Sequence, residues 1–163
     1  MKIMRRMKSL LTQGAEANRS GEVGQQMFEG YLRGFKIKIV NDHPSYRQPR
    51  VEFAYRNANA DYLYKDYERN FDVLWEVRSQ IGGGTTDEKL ISTIETLASC
   101  PYSHCGLVLF GDGFRGWVRQ AAAQRAQELS GGNKDIRVIN AVGDVLYRHL
   151  QHLIEQGQFL PRF

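Results

Sequence analysis

Asp61, Glu76, Arg78 and Gln80 are the residues of this 163-residue chain whose types and spacing point to chemistry. Glu76, Arg78 and Gln80 are spaced two apart, so on a strand they share one face. A Glu on the inward face of a central strand is costly unless it is paired or bound to a cation. Glu76 and Arg78 can simply pair. Asp61 adds a second possibility, because it begins the neighbouring strand of a hairpin and can lie beside Glu76. Two adjacent carboxylates repel unless a divalent cation sits between them. Mg2+ held by one or two carboxylates and its own waters is an ordinary arrangement, and Mn2+ can substitute. Two readings therefore stand side by side: an ion pair inside a scaffold, and a cation site.

The elements that must position these residues follow from the pattern of apolar side chains. Val23, Met27, Phe28, Tyr31 and Leu32 form a helical stripe after Ser20-Gly21, with Gly34 as the expected C-cap. The alternation Phe35–Val40 predicts a strand, Asn41–Pro49 a loop, and Val51–Tyr55 a short edge strand. Residues 60–64 and 71–78, joined by a turn over 65–70, predict a hairpin, with Val73, Trp75 and Val77 on one face. Gly82-Gly83-Gly84 breaks the second strand, and Thr85 or Thr86 can cap a helix running to about Ser99. A buried strand over Gly106–Gly111, a helix over 116–129, a strand over 136–139 and a helix over 141–154 complete the chain. That order predicts an α/β fold with a mixed central sheet flanked by helices.

Composition sets the frame. The length suits one domain, and 42% apolar with 25% charged residues is ordinary for a globular chain. The net charge of +4 is uneven: residues 1–50 hold 10 Lys and Arg against 4 Asp and Glu, and residues 51–163 hold 12 against 14. A basic first third suits a polyanionic partner. No apolar run is long enough to span a membrane, and the basic start lacks the apolar segment of a secretory signal. Two cysteines make no disulfide framework, so a reduced, cytoplasmic chain is expected. There is no P-loop and no Gly-x-Ser-x-Gly elbow.

Ala60-Asp61 followed by Glu76-Val77-Arg78 resembles the PD-(D/E)XK nuclease superfamily of restriction-endonuclease-like folds. The likeness is closest to a subgroup with a Glu-x-Arg-x-Gln…Gly-Thr-x-Asp-Glu-Lys string, here Glu76 to Gln80 and Gly84 to Lys89. The apolar run Leu107–Gly111, the helix at Trp117 and the opening Asn18-Arg19-Ser20-Gly21 are also similar to it. The resemblance covers about residues 18–150, and it implies a nuclease domain over 18–163 preceded by a basic arm over 1–17.

That resemblance implies roles for particular residues. Asp61 and Glu76 become the metal-binding carboxylates. Arg78 stands where the superfamily usually has Lys. Arg does not deprotonate in a protein, so it would orient a water or stabilise phosphate charge rather than act as a base. Gln80 follows on the same face. Gln25 stands where relatives carry a Glu on the first helix, with Glu22 and Glu29 nearby but a quarter to half a turn off that face. Lys89, in the first turn of the helix after the glycines, is a candidate for the scissile phosphate.

The expected activity is Mg2+-dependent endonucleolytic hydrolysis of duplex DNA, with a homodimer or higher homo-oligomer needed to cut both strands. Lys36, Lys38, Arg47, Arg50 and Arg56, interleaved with Tyr46, Phe53 and Tyr55, are the expected DNA-facing cations. The alternative is a domain that has lost turnover and only binds DNA, suggested by Arg78 and Gln25. Cys100, His104 and Cys105 are potential zinc ligands without a second pair at matching spacing, and the cysteines read as structural. His149 and His152 share a helix face with no acidic partner in view.

Overall fold

In the computed structural model of the chain, Phe71–Ser79 forms the strand around which the sheet is built, and Val73, Leu74 and Trp75 are buried in succession on both its faces. The structure describes residues 21–37, 45–47, 49–52, 57–80 and 87–162, with backbone alone at 45–47, 52, 57–58 and 87–88. In chain order the elements are helix α1 (21–34), strands β1 (Ser45–Arg47), β2 (Arg50–Glu52), β3 (Asn57–Asn59), β4 (Tyr62–Asp66) and β5 (Phe71–Ser79), helix α2 (Asp87–Ser99), strand β6 (His104–Phe110), helix α3 (Gly116–Leu129), strand β7 (Asp135–Asn140) and helix α4 (Val145–Gln156).

Five strands make one sheet in the order β1-β4-β5-β6-β7, and β2 pairs only with β3. β1, β4 and β5 run antiparallel, whereas β5, β6 and β7 run parallel. The sheet is therefore mixed, as the sequence predicts, and β5 is where its two halves meet. The parallel half needs crossovers, and α2 and α3 supply them. Both pack on one face, where Leu90, Ile94, Leu97, Val118, Ala122 and Ala126 meet Leu74, Leu107 and Leu109. On the other face, Phe28 and Leu32 of α1 and Leu146, Leu150 and Leu153 of α4 cover Val73, Trp75 and Val108. α1 lies close to β5: a Cβ at Gly24 would stand 2.9 Å from the Ser79 Cβ.

Several local expectations are corrected. The chain does not enter a strand at Phe35. Residues 35 and 36 turn, and Lys36 adopts a left-handed φ of 60°. The Ile37 amide bonds to the Leu32 carbonyl at 2.9 Å and the Lys36 amide to the Arg33 carbonyl at 2.8 Å. These are the two bonds of a Schellman motif, and Leu32 and Ile37 meet in the same core. The apolar residue read as the second alternation of a strand is thus the hydrophobic closure of a helix end, and Lys36, not Gly34, takes the left-handed position. The expected loop over 41–49 contains β1, and the expected edge strand at Val51 is one arm of the β2–β3 ribbon. Lys38, Arg56, the arm over 1–17, Gly82-Gly83-Gly84, Thr85 and Thr86 lie outside the described residues.

Candidate functional site

The hairpin sets the site. β4 pairs with β5 through Tyr62↔Trp75, so the next position of that register sets Asp61 opposite Glu76. Asp61 does not continue the ladder with its backbone. Its side chain turns in and Oδ2 accepts the hydrogen bond of the Val77 amide at 2.8 Å. The same oxygen lies 3.4 Å from Arg78 Nη1, which lies 3.0 Å from Glu76 Oε2. On the other side, Gln25 of α1 donates from Nε2 to Asp61 Oδ1 at 3.0 Å. Asp61, Glu76, Arg78 and Gln25 thus form one cluster drawn from α1, β5 and the residue ahead of β4.

The cluster is largely shielded from water. The side chains of Glu76 and Asp61 are 12% and 17% exposed, while Arg78 keeps 32%. Burial pushes the Glu76 carboxyl up to about 7, the nearby negative charge of Asp61 adds to the rise, and Arg78 opposes it. Desolvation thus outweighs the single guanidinium. Arg78 also donates to the Val77 carbonyl at 3.0 Å, so its positive charge is divided among three acceptors.

Such a donor set fits one hard divalent cation, because two carboxylates meet there and burial with the neighbouring negative charge disfavours ionising Glu76 beside Asp61. Asp61 and Glu76 are the residues that would hold it. Among the described residues no group of three or more His, Cys, Asp or Glu converges, so the pair has no third carboxylate, and Gln25 takes its place with a neutral amide.

The remaining candidates stand elsewhere. Gln80 is buried, but its amide Nε2 donates to the Gly113 carbonyl at 3.1 Å. Its backbone bonds to Phe110 and Gly113. It staples the end of β5 to the loop after β6, and its Oε1 is a buried acceptor with no donor among the described residues. Lys89 is exposed in the first turn of α2. Glu22, Lys36 and Arg50 are exposed. Arg47 lies on β1, with only its backbone described.

Glu29 belongs nearer the site than its reading from the helix suggests. It lies four residues after Gln25, which is close to one face of a helix. It is buried and accepts from the Tyr62 hydroxyl at 2.8 Å, while the same hydroxyl lies 3.4 Å from the Gln25 carbonyl. Arg119 is a residue the sequence pattern does not single out. It reaches the carbonyls of Gly111 and Phe114 and the Asn140 side chain, and so fixes the same loop that Gln80 holds.

His104 packs its ring against Phe71 and Phe159, in the layer opposite to Cys105, so the Cys100, His104 and Cys105 triplet does not converge on one point. Comparison of the chain with protein-family models, with curated proteins and with solved structures gives no match.

Proposed function

We propose that this chain is a metal-dependent endonuclease acting on duplex DNA, with a restriction-endonuclease-like core. The observation that carries the reading is the meeting of Asp61 and Glu76 across the β4–β5 register with Arg78 against both. A like-charged buried pair without enough counter-charge is a poor structural element and a good cation site. The resemblance of the Glu76–Lys89 string to the PD-(D/E)XK subgroup, and the mixed sheet that presents it, support the same reading.

Asp61 and Glu76 would hold Mg2+, with Mn2+ as substitute. When bound, the ion supplies a water of lowered pKa and positive charge toward the phosphate. Arg78 donates to the phosphate and cannot serve as base. Gln25 fixes the Asp61 carboxylate in place, with Tyr62 and Glu29 behind it. Gln80 acts on the site indirectly, by holding the loop after β6. Lys89, Lys36 and Arg50 are exposed cations available to the DNA backbone. One site reaches one strand, so cutting both needs two copies of the chain.

The second reading is a DNA-binding domain without turnover, and one observation favours it: Arg78 Nη1 already lies against both carboxylates, which partly satisfies them without an ion. Incubation of supercoiled plasmid with the protein in Mg2+ and in Mn2+, beside Glu76→Gln, separates the two. Nicked and linear products from the wild type alone support the endonuclease. Retention of plasmid on the protein with no cleavage in either metal leaves the binding domain.

A further inference from the structure

Outside the carboxylate cluster, the α2–β6 junction brings together two thiols and a lysine among the described residues. Cys100 follows α2, Cys105 is the second residue of β6, and both are free thiols buried in the core. Their Sγ atoms lie 3.4 Å apart. Lys134, from the turn before β7, donates to the Cys100 carbonyl at 2.8 Å and to the Tyr102 carbonyl, and its Nζ stands 3.4 Å from Cys100 Sγ. The turn that carries it is closed by backbone bonds between Gly131 and Lys134, both 2.9 Å, and the contacts of Nζ with Cys100 and Tyr102 place the ammonium against this junction.

We propose that Cys100 and Cys105 form a peroxide-driven, reversible intramolecular disulfide, with Lys134 as the group that activates Cys100. Two structural thiols sharing a core need neither a cation beside one sulfur nor contact between the sulfurs. Here both are present. A disulfide requires the sulfurs to come roughly 1.4 Å closer, and the five-residue spacing places that movement in the short connection 100–104. Exposure sets the order of events: Cys100 keeps 7% and Cys105 none, so a small oxidant meets Cys100 first.

The acid–base character of the pair agrees. The hydrogen bond from Cys105 is the largest cause that draws the Cys100 thiol down to about 6, and the Lys134 charge adds to it against the opposing effect of burial. Cys105, which supplies that bond and is buried, holds its own proton far more tightly than an ordinary thiol. One sulfur is the nucleophile and the other the proton-bearing resolving thiol.

The chemistry balances with hydrogen peroxide as the oxidant. The Cys100 thiolate attacks one peroxide oxygen; an S–O bond forms, the O–O bond breaks and hydroxide leaves, which gives the sulfenic acid. That hydroxide takes the Cys105 proton and becomes water. The Cys105 thiolate then attacks the Cys100 sulfur; the S–S bond forms, the S–O bond breaks and hydroxide leaves, to be protonated from solvent. Two sulfurs lose two electrons, the two peroxide oxygens gain them, and two waters form.

The test uses the full-length protein, first reduced, then exposed to graded hydrogen peroxide, denatured in an alkylating reagent and weighed intact. The expected product has lost two hydrogens, takes up no reagent, and regains two alkylation sites after dithiothreitol. Cys105→Ser should instead accumulate sulfenic and sulfinic acid at Cys100. Lys134→Met should form the disulfide at least about threefold more slowly at neutral pH, because less thiolate is present. Wild-type protein that keeps two alkylatable thiols throughout, or that oxidises Cys100 to sulfinic acid without losing the second thiol, overturns the proposal. An oxidation rate unchanged in Lys134→Met overturns the role of the lysine.

Discussion

The carboxylate of Asp61 accepts the Val77 amide at 2.8 Å, so a side chain takes the place that a strand carbonyl would fill in the β4–β5 ladder. Asp61 is thereby a structural acceptor as well as a charge. Asp61→Ala leaves the Val77 amide, the Gln25 amide and Arg78 without this partner, and it should lower stability by about 1–3 kcal/mol in urea titration. Asp61→Asn keeps an acceptor and should lose less than half of that. Under the endonuclease reading both variants lose plasmid cleavage to the same extent. The Ala variant should unfold earlier than the Asn variant, which separates a lost charge from a lost fold.

Glu76 gives the pH dependence. Its folded-state value near 7 lies above its ordinary 4.5. Between those values the folded chain holds a proton that the unfolded chain has released, so stability falls as pH rises through the window and levels off above it. The contribution is roughly 3 kcal/mol at most. Thermal unfolding in a chelator at pH 5 and pH 8 should show the wild type losing more stability than Glu76→Gln, and the variant should be the more stable of the two at pH 8. Mg2+ should raise the wild-type midpoint at pH 8, because a ligand of the folded state stabilises it, and should leave the variant unmoved. A wild-type midpoint indifferent to Mg2+ and Mn2+ contradicts the cation site.

Arg78 is the residue at which the two functional readings diverge. If it stabilises phosphate charge, Arg78→Ala should lower the cleavage rate by about 10²–10³, while Arg78→Lys, which keeps a cation at the same place, should stay within about tenfold of wild type. If it serves only to neutralise Asp61 and Glu76, Arg78→Ala should bind Mg2+ more tightly than wild type, since the competing cation is gone, and DNA retention should change little. Isothermal titration with Mg2+ beside a plasmid cleavage assay reads both quantities from the same preparations.

The parts of this fold that local pattern decides were legible in the sequence. The hairpin 62–79 shows as two apolar segments about a polar turn, buried on both faces at 62–64 and 73–75, and Leu107–Phe110 is apolar on both faces because it lies between two helix layers. The proximity of Asp61 to Glu76 was legible for the same reason, since a hairpin fixes its own register. The Schellman closure at Lys36 and Ile37 was not, because two alternating apolar residues after a helix look alike whether they begin a strand or fold back onto the helix. Gln80 is expected from its spacing to point at the same site as Glu76 and Arg78, but its amide is taken by Gly113, which arrives from a loop 33 residues away, and no periodicity reports on such a partner. The approach of Lys134 to Cys100 is long-range in the same sense.

Gly106 tests the packing that holds β5 in place. It pairs with Trp75 across the parallel β5–β6 ladder, and a Cβ there would strike the Cζ3 and Cε3 atoms of the indole. The ring has little room to give way, because Phe28 and Phe159 stand 5.3 and 5.9 Å from it, centre to centre. Gly106 therefore owes its place to the size of its neighbour and not to backbone conformation. Gly106→Ala should lower stability by about 1–3 kcal/mol through overpacking. The double variant Gly106→Ala with Trp75→Phe should recover part of that loss, because the smaller ring leaves space for the methyl group. Loss of stability that the second substitution deepens by its full independent effect would mean that the two residues do not share the space. Because Glu76 follows Trp75 directly on β5, the single variant should also reduce Mg2+ affinity, and the double variant should restore it.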